Sequence, residues 1–380
     1  MKQSTNNQKN LSLEEKIGQL FFIGMSGEEL SATDEKLLTD IKPGGICLFS
    51  RNIKDAEKTR SLLSAISERL PLQPFLSLDQ EGGLVDRLRR IVEPFPSAAE
   101  ISRNGNFGNA KKLAALTGEI LRILGFNMNF APVVDVGGQK RADFVMNNQV
   151  RLFGQTKAEV FEWTRIYLET LQNSGIIGCL KHFPGIGAVE FDPHIELPSV
   201  NLTNEEFSDI DLFPFKEHFK NKNVFAIMTG HITFPLNSRQ EFDSGGKLLP
   251  ASLSQNFTTQ LLRKELGFQG LALTDDLEMG AIVENYGIGQ AAQMAFLAGS
   301  DLLLICNSPE AVFESYEAIL AANKAGEISE ARIDESLERI SRVRNLLQKP
   351  LHFRQHRLAE LSSEIRDLKE SILNQTAIRN

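Results

Sequence analysis

Gly270-Leu271-Ala272-Leu273-Thr274-Asp275 sets the reading of the fold. Its apolar run leaves no alternate position for a wet face, as a strand buried on both sides requires. A carboxylate follows at once. Seven further runs fit the same description: Leu20–Ile23, Gly45–Phe49, Pro74–Leu78, Asn127–Ala131, Gly178–His182, Val224–Thr229 and Leu302–Cys306. Amphipathic segments fill the gaps at Ser12–Leu20, Ala56–Leu70, Ala110–Leu124, Lys157–Ser174, Ser254–Leu266 and Ile288–Ala298. Ser12 before Leu13-Glu14-Glu15 reads as a helix cap with acids in the first turn. Eight strands alternating with helices predict an α/β protein, a single (β/α)8 barrel of the TIM type. An open doubly wound sheet competes. It is the weaker reading, because no G-x-G-x-x-G opens a helix after an early strand.

The 380 residues fall within the range of one such barrel. No fixed-period repeat and no linker rich in Pro, Gly or Ser divides them. The expected organisation is a polar tail over 1–11, the barrel over 12–347 and a short helical extension over 348–380. Within the extension, Glu360 to Leu373 has helical spacing, as a helix on the barrel exterior or a frayed tail. Hydrophobic residues make up 42%, enough for a sizeable core. The net charge of −8 and pI near 5.5 argue against a nucleic-acid partner. No run reaches the roughly 18 apolar residues of a membrane span. Met1 to Asn10 is polar, so no secretory signal is expected there and a cytoplasmic location is. Cys47, Cys179 and Cys306 each sit in an apolar run and are expected to be buried free thiols.

In a parallel barrel the loops after the strands build the active site. Five predicted strands end in polar residues: Asp79 after Leu78, Lys181-His182 after Leu180, Thr229-Gly230-His231 after Met228, Thr274-Asp275 after Leu273, and Cys306-Asn307 after Ile305. Arg87 and Arg151 lie in loops able to face the same mouth. Lys181-His182-Phe183-Pro184-Gly185-Ile186-Gly187 leads into Asp192-Pro193-His194, a second carboxylate–imidazole pair. The set lacks Cys/His spacing for zinc, a G-x-S-x-G elbow and a phosphate-binding glycine loop.

These segments resemble family 3 glycoside hydrolases, and among them the single-domain bacterial β-N-acetylglucosaminidases. The resemblance runs in order from Ser12–Leu20 through Asp79-Gln80-Glu81-Gly82-Gly83, Asn129–Val136, Lys181–Gly187, Asp192-x-His194 and Met228–Ile232. It ends with Pro250–Ser254, Leu266–Gly270 and Thr274-Asp275-Asp276-Leu277-x-Met279, covering roughly 12 to 345. It implies a retaining exo-acting hydrolase, with Asp275 as nucleophile, His194 as general acid/base and Asp192 as its partner. A rigidly held strand-end carboxylate suits attack on an anomeric carbon. Asp276 is the rival, although strand alternation expects only one of the two to face the mouth. A carboxylate beside an imidazole favours its protonated form, as a proton donor requires.

Asp79, Arg87, Arg151, Lys181 and His182 match the residues that hold the N-acetylhexosamine. His231 either lines the sugar site or supports it. The resemblance implies no metal and no organic cofactor. It implies an N-acetylglucosamine-containing glycan or muropeptide as substrate. The charge and the lack of an apolar span lead us to expect no nucleic-acid or membrane partner, and a monomer is expected. Three positions depart from the family pattern: Ile186 in place of histidine, Leu84 in place of arginine, and Val150 in place of aspartate beside Arg151. The alternatives on this fold are a β-glucosidase, a hexosaminide phosphorylase or a catalytically silent sugar-binding barrel.

Overall fold

The computed structural model describes residues 11–103, 105–138, 150–189 and 197–379. All eight expected strands are present among them: β1 (Phe21–Gly24), β2 (Gly45–Leu48), β3 (Phe75–Leu78), β4 (Met128–Asn129), β5 (Ile177–Phe183), β6 (Ala226–Thr229), β7 (Leu271–Thr274) and β8 (Leu303–Ile305). They form two parallel four-stranded sheets, in the orders β8-β1-β2-β3 and β4-β5-β6-β7. Every residue of β2, β3, β5, β6, β7 and β8 is buried. Helices cover the outside, as their apolar sequences demand.

Two seams join the sheets into a (β/α)8 barrel, and side chains complete both. Between β3 and β4, Phe130 N donates to Leu78 O at 3.0 Å. The Asn127 and Asn129 side chains accept from Leu76 N and Gln80 N at 2.8 and 2.9 Å. This explains why the expected strand Asn127–Ala131 shortens to two residues, since amide side chains replace part of the ladder. Between β7 and β8, Leu273 bridges Leu302, and Leu304 N donates to Thr274 Oγ1 at 3.0 Å.

The expected helices appear as Leu13–Gly18, Ala56–Arg69, Phe107–Leu124, Lys157–Asn173, Asn256–Glu265 and Ile288–Ala298. Asn256–Glu265 is wound as a π-helix. Ser12 and Glu15 form a reciprocal capping box. Helices without a sequence-based expectation include Ala32–Asp40, Ala98–Arg103, Leu212–Lys220, Gly280–Tyr286, Pro309–Lys324 and Glu330–Arg344. Ala32–Asp40 is short and largely polar, and the Ser31–Asp34 capping box holds its start.

The C-terminal helix Gln355–Arg379 buries Leu358, Leu361, Ile365, Leu368 and Ile372. These positions recur at three- and four-residue spacing, so they form one face. The helix packs on Phe107–Leu124, where Arg357 pairs with Glu119 at 2.7 and 2.9 Å. It also reaches the loop that follows Arg87. Lys369 pairs with Glu93 at 2.7 Å, and Glu93 N donates to Ser362 Oγ at 2.7 Å.

Candidate active site

A cavity of about 520 Å³ opens where the strands end. Asp79, Arg87, Arg151, Lys181, His182 and Asp275 all line it, together with Asp276. Asp192 and His194 lie outside the described residues.

The loop after β3 places two of these groups. Gln80–Gly82 pairs with Val85–Asp86 as a small antiparallel hairpin. Its turn takes positive φ at Gly82 and Gly83, and a Cβ on Gly82 would lie 2.2 Å from the Pro96 carbonyl oxygen. Gln80 ties the hairpin together. Its amide donates to Asp86 at 2.9 Å, and its oxygen accepts from Arg87 N at 2.9 Å. The Arg87 guanidinium therefore stands at the mouth, with Nη2 3.7 Å from Asp79 Oδ2. That separation is an ion pair without a direct hydrogen bond.

β5 supplies the cation and the imidazole. Its register against β6 shifts between Lys181 and Phe183, so consecutive side chains both reach the cavity. Lys181 Nζ donates to Asp79 Oδ1 at 2.7 Å and contacts Glu81 Oε1 at 2.6 Å. Arg151 grips Glu81 through two parallel bonds, from Nε at 2.8 Å and Nη2 at 2.7 Å. Burial alone would raise the Glu81 carboxyl. Arg151 and Lys181 outweigh it and hold the group well below the usual carboxylate range. The same carboxylates hold the Lys181 ammonium above its ordinary value against the pull of burial. Glu81, Arg151 and Lys181 thus stay charged.

His182 is fixed by Asp135, a residue to which the sequence pattern assigns no role. His182 Nδ1 lies 2.8 Å from Asp135 Oδ2, and Ile186 N donates to Asp135 Oδ1 at 2.8 Å. With Nδ1 bonded to this buried carboxylate, Nε2 is the nitrogen left for the cavity. Glu81 was also missed. It stands two residues after Asp79, a spacing that would have put both on one side of an extended segment. The Val150 departure leaves the Arg151 pairing intact, because Glu81 is its carboxylate partner.

Asp275 follows β7 directly. Its N–H donates to Thr229 O at 3.0 Å, and its Oδ1 accepts from Asp276 N at 2.8 Å. Burial works to raise its pKa, but His182, His231, the Asp276 N–H and Lys181 together lower it. The carboxyl is an anion at neutral pH. Asp276 differs. Burial pushes it up to about 7, and the negative Glu278 and Asp275 add to the rise. Its oxygens accept from Glu278 N at 3.1 Å and Asn307 Nδ2 at 3.3 Å. The expectation that only one of these aspartates faces the mouth is corrected. The strand ends at Thr274, the chain bends, and strand alternation no longer applies.

His231 takes the supporting role. It is buried and does not line the cavity. Its Nε2 lies 3.1 Å from Asp276 O, and its Nδ1 lies 2.7 Å from Ser252 Oγ. Nε2 must donate to the carbonyl, so Nδ1 accepts from the hydroxyl. Burial lowers the ring's pKa against the opposing pull of the Asp275 carboxylate. Among the described residues, no three or more His, Cys, Asp or Glu side chains are grouped to hold a metal ion. No described helix is long and apolar enough to cross a membrane.

Residues 12–343 match the glycosyl hydrolase family 3 N terminal domain. Beta-hexosaminidase A of Pseudoalteromonas piscicida is 32% identical over 336 residues, which is 82% of this chain and 55% of that protein. The chain therefore spans about half of that relative. Beta-hexosaminidase of Xanthomonas oryzae pv. oryzae is 31% identical over 309 residues, covering 79% of this chain and 87% of the relative. The glycoside hydrolase family 3 beta-N-acetylglucosaminidase from Paenibacillus sp. str. FPU-7 superposes with a TM-score of 0.84 at 34% identity, over 94% of this chain and 69% of that one.

Proposed function

The chain belongs to glycosyl hydrolase family 3, and from that premise we propose that it is a retaining exo-β-N-acetylglucosaminidase. The observation that carries the reading is the Asp275 carboxylate. It is anionic and rigidly held at a strand end, and it shares a cavity with the Asp79–Lys181–Glu81–Arg151 network. Such a network suits a ring that offers hydroxyls and an amide. The hexosaminidase names of the relatives support the 2-acetamido sugar as substrate.

In the proposed reaction an Asp275 oxygen attacks the anomeric carbon. The bond from that carbon to the leaving oxygen breaks, and the leaving oxygen takes a proton from the His194 imidazolium. Water then attacks the same carbon. His194 takes a proton from the water, and the Asp275 ester bond breaks to restore the carboxylate. Asp192 supports the imidazolium with its charge. Asp79, Lys181, Arg87, Arg151 and His182 hold the sugar, while Asp135 and Glu81 hold those side chains in place. The natural substrate is proposed to be a muropeptide or its disaccharide core, taken up for recycling in the cytoplasm.

Turnover of nitrophenyl N-acetyl-β-glucosaminide beside the matching glucoside, with and without phosphate, tests the assignment. A site built for the acetamido group leaves buried polar groups unpaired with glucose. The expected ratio of kcat/KM is therefore at least about a hundredfold in favour of the acetamido sugar. Equal values, or turnover that requires phosphate, would replace this reading with the β-glucosidase or phosphorylase. Digestion of isolated muropeptides and fractionation of the producing cells test the substrate and the location separately.

A further inference from the structure

Of the cations proposed to hold the sugar, Arg87 is the least anchored. Arg151 makes two hydrogen bonds to Glu81, and Lys181 makes one to Asp79. The Arg87 guanidinium meets the Asp79 carboxylate at 3.7 Å and stands 5.7 Å from the centre of the Phe49 ring. Among the described residues its buried Nε has no hydrogen-bond partner. Backbone position, more than side-chain bonding, therefore sets where this group stands at the mouth.

That backbone belongs to a closed ring of bonds. Asp86 spans it, accepting from Leu88 N at 3.0 Å through Oδ1 and from Phe95 N at 2.9 Å through Oδ2. Phe95 O in turn accepts from Gly83 N at 3.0 Å. Inside the ring, Ile91 N and Val92 N both donate to Leu88 O, at 2.8 and 3.1 Å. Leu88, Val92 and Phe95 are buried. The path from Arg87 to Glu93 is thus one compact turn with little slack.

Glu93 is where the C-terminal helix takes hold. Ser362 Oγ accepts from Glu93 N at 2.7 Å, and Lys369 Nζ donates to Glu93 Oε1 at 2.7 Å. Arg366 Nε lies 3.8 Å from Glu93 Oε2. Ser362, Arg366 and Lys369 recur at four- and three-residue spacing, so one helix face carries all three. The buried Leu361, Ile365 and Leu368 beside them fix that face to the barrel. A lone exposed ion pair would contribute little. Here a backbone bond and an ion pair, two helical turns apart, grip the same residue. The helix lies beyond residues 12–343, the part that matches the family domain.

We propose that the helix Gln355–Arg379 is a strap that positions Arg87 for the sugar, with Ser362 and Lys369 as positioning residues acting through Glu93. The inference rests on the reading of Arg87 as a sugar-holding group. It gives a segment outside the family domain a part in substrate affinity.

The test is a double-mutant cycle in the full chain. Ser362→Ala combined with Lys369→Met cuts both ties while keeping most of the lysine's apolar stem. KM for nitrophenyl N-acetyl-β-glucosaminide is expected to rise about fivefold to tenfold with kcat within about twofold, since Arg87 serves substrate and transition state alike. Each single change should give a smaller shift in the same direction, and Lys369→Arg, which keeps the ion pair, should match the parent. In an Arg87→Ala background the paired change should add nothing. An unchanged KM with a lowered thermal midpoint, or an equal loss in both backgrounds, would make the helix a mere fastening and overturn the proposal. Amide hydrogen exchange over residues 83–95, measured without substrate, separates this outcome from the hydrolase reading. Exchange about tenfold faster in the paired variant is expected, and unchanged exchange would overturn the strap. Faster exchange in the variant of a parent that turns over no hexosaminide would overturn the hydrolase reading and uphold the strap.

Discussion

Glu81 and Asp301 are buried carboxylates, each held by two cations, at opposite ends of one barrel. Asp301 precedes β8 at the base. Its Oδ2 accepts from Arg263 at 2.6 Å and Ala272 N at 3.1 Å, and its Oδ1 accepts from Ser336 at 2.8 Å and Arg339 at 3.0 Å. The side chain is 0% exposed and its bonding capacity is spent. Glu81 is 6% exposed and bonds Arg151 and Lys181 at similar distances. The difference lies in the cations. Those at the base end within the fold. Those at the mouth line the cavity, and Lys181 also carries Asp79, whose second oxygen has only a loose ion pair with Arg87. The same electrostatic device fastens strands at one end and presents polar groups to a ligand at the other. Barrels divide stability and chemistry between their ends in this way.

The contrast can be broken most severely at Asp275, the proposed nucleophile. Asp275→Asn is expected to lower kcat by about 10⁴-fold or more, since an amide does not attack the anomeric carbon effectively. Its thermal midpoint should stay near the parent's. Mass mapping of the parent after a fluorinated hexosaminide should find the label on Asp275, and label on Asp276 would reverse the assignment. Asp301→Asn should do the opposite. It leaves Arg263 and Arg339 facing a neutral group, so urea unfolding should register a loss of about 3–5 kcal/mol, with kcat of the folded fraction unchanged. A catalytic defect at constant stability in Asp301→Asn would erase the distinction between the two ends.

Smaller effects sharpen the comparison. Glu81→Gln should lower kcat/KM by roughly a hundredfold, acting through misplaced Arg151 and Lys181, with a stability loss smaller than at Asp301. If it proves silent on every substrate, the mouth network is only a fastening. The smallest effect concerns pH. Asp276 has a folded pKa of about 7 against an ordinary 3.8, so the folded state keeps a proton that the unfolded chain loses. Its contribution to stability is full below about pH 4 and lost as pH rises toward 7. Asp276→Asn stays neutral and should gain on the parent across that window. Asp301 is lowered, with burial opposing and its arginines prevailing, so its contribution is lost as pH falls below the carboxylate range. Urea midpoints measured from pH 3 to 8 should show the two variant-minus-parent differences moving in these opposite senses. A flat profile for Asp276→Asn would refute its raised pKa.

The strands were legible because burial on both faces writes itself as unbroken apolar runs. Strand-end position then marked Asp79, Lys181, His182 and Asp275, all of which line the cavity. Glu81 and Asp135 carry no such mark, although they stand within Asp79–Gly83 and Asn129–Val136 respectively. Their roles come from partners 70 and 47 residues away, Arg151 and His182, and no local pattern records such a pairing. Helix Ala32–Asp40 escaped for a related reason. It is too short and polar for periodicity to show, and its cap and packing hold it.

The amino-acid order by itself determined the alternation of strands and helices, the end of the barrel at which charged groups collect, and the residue types available there. Backbone period and burial are local constraints, so a linear text carries them. Tertiary structure alone decided which charges meet. It made Asp275 an anion while the adjacent Asp276 rises to about 7, although the two share one side-chain chemistry. It turned His231 from the cavity toward Ser252 and the Asp276 carbonyl. Coulomb and desolvation energies depend on distance in space, and closing the barrel is what creates those distances.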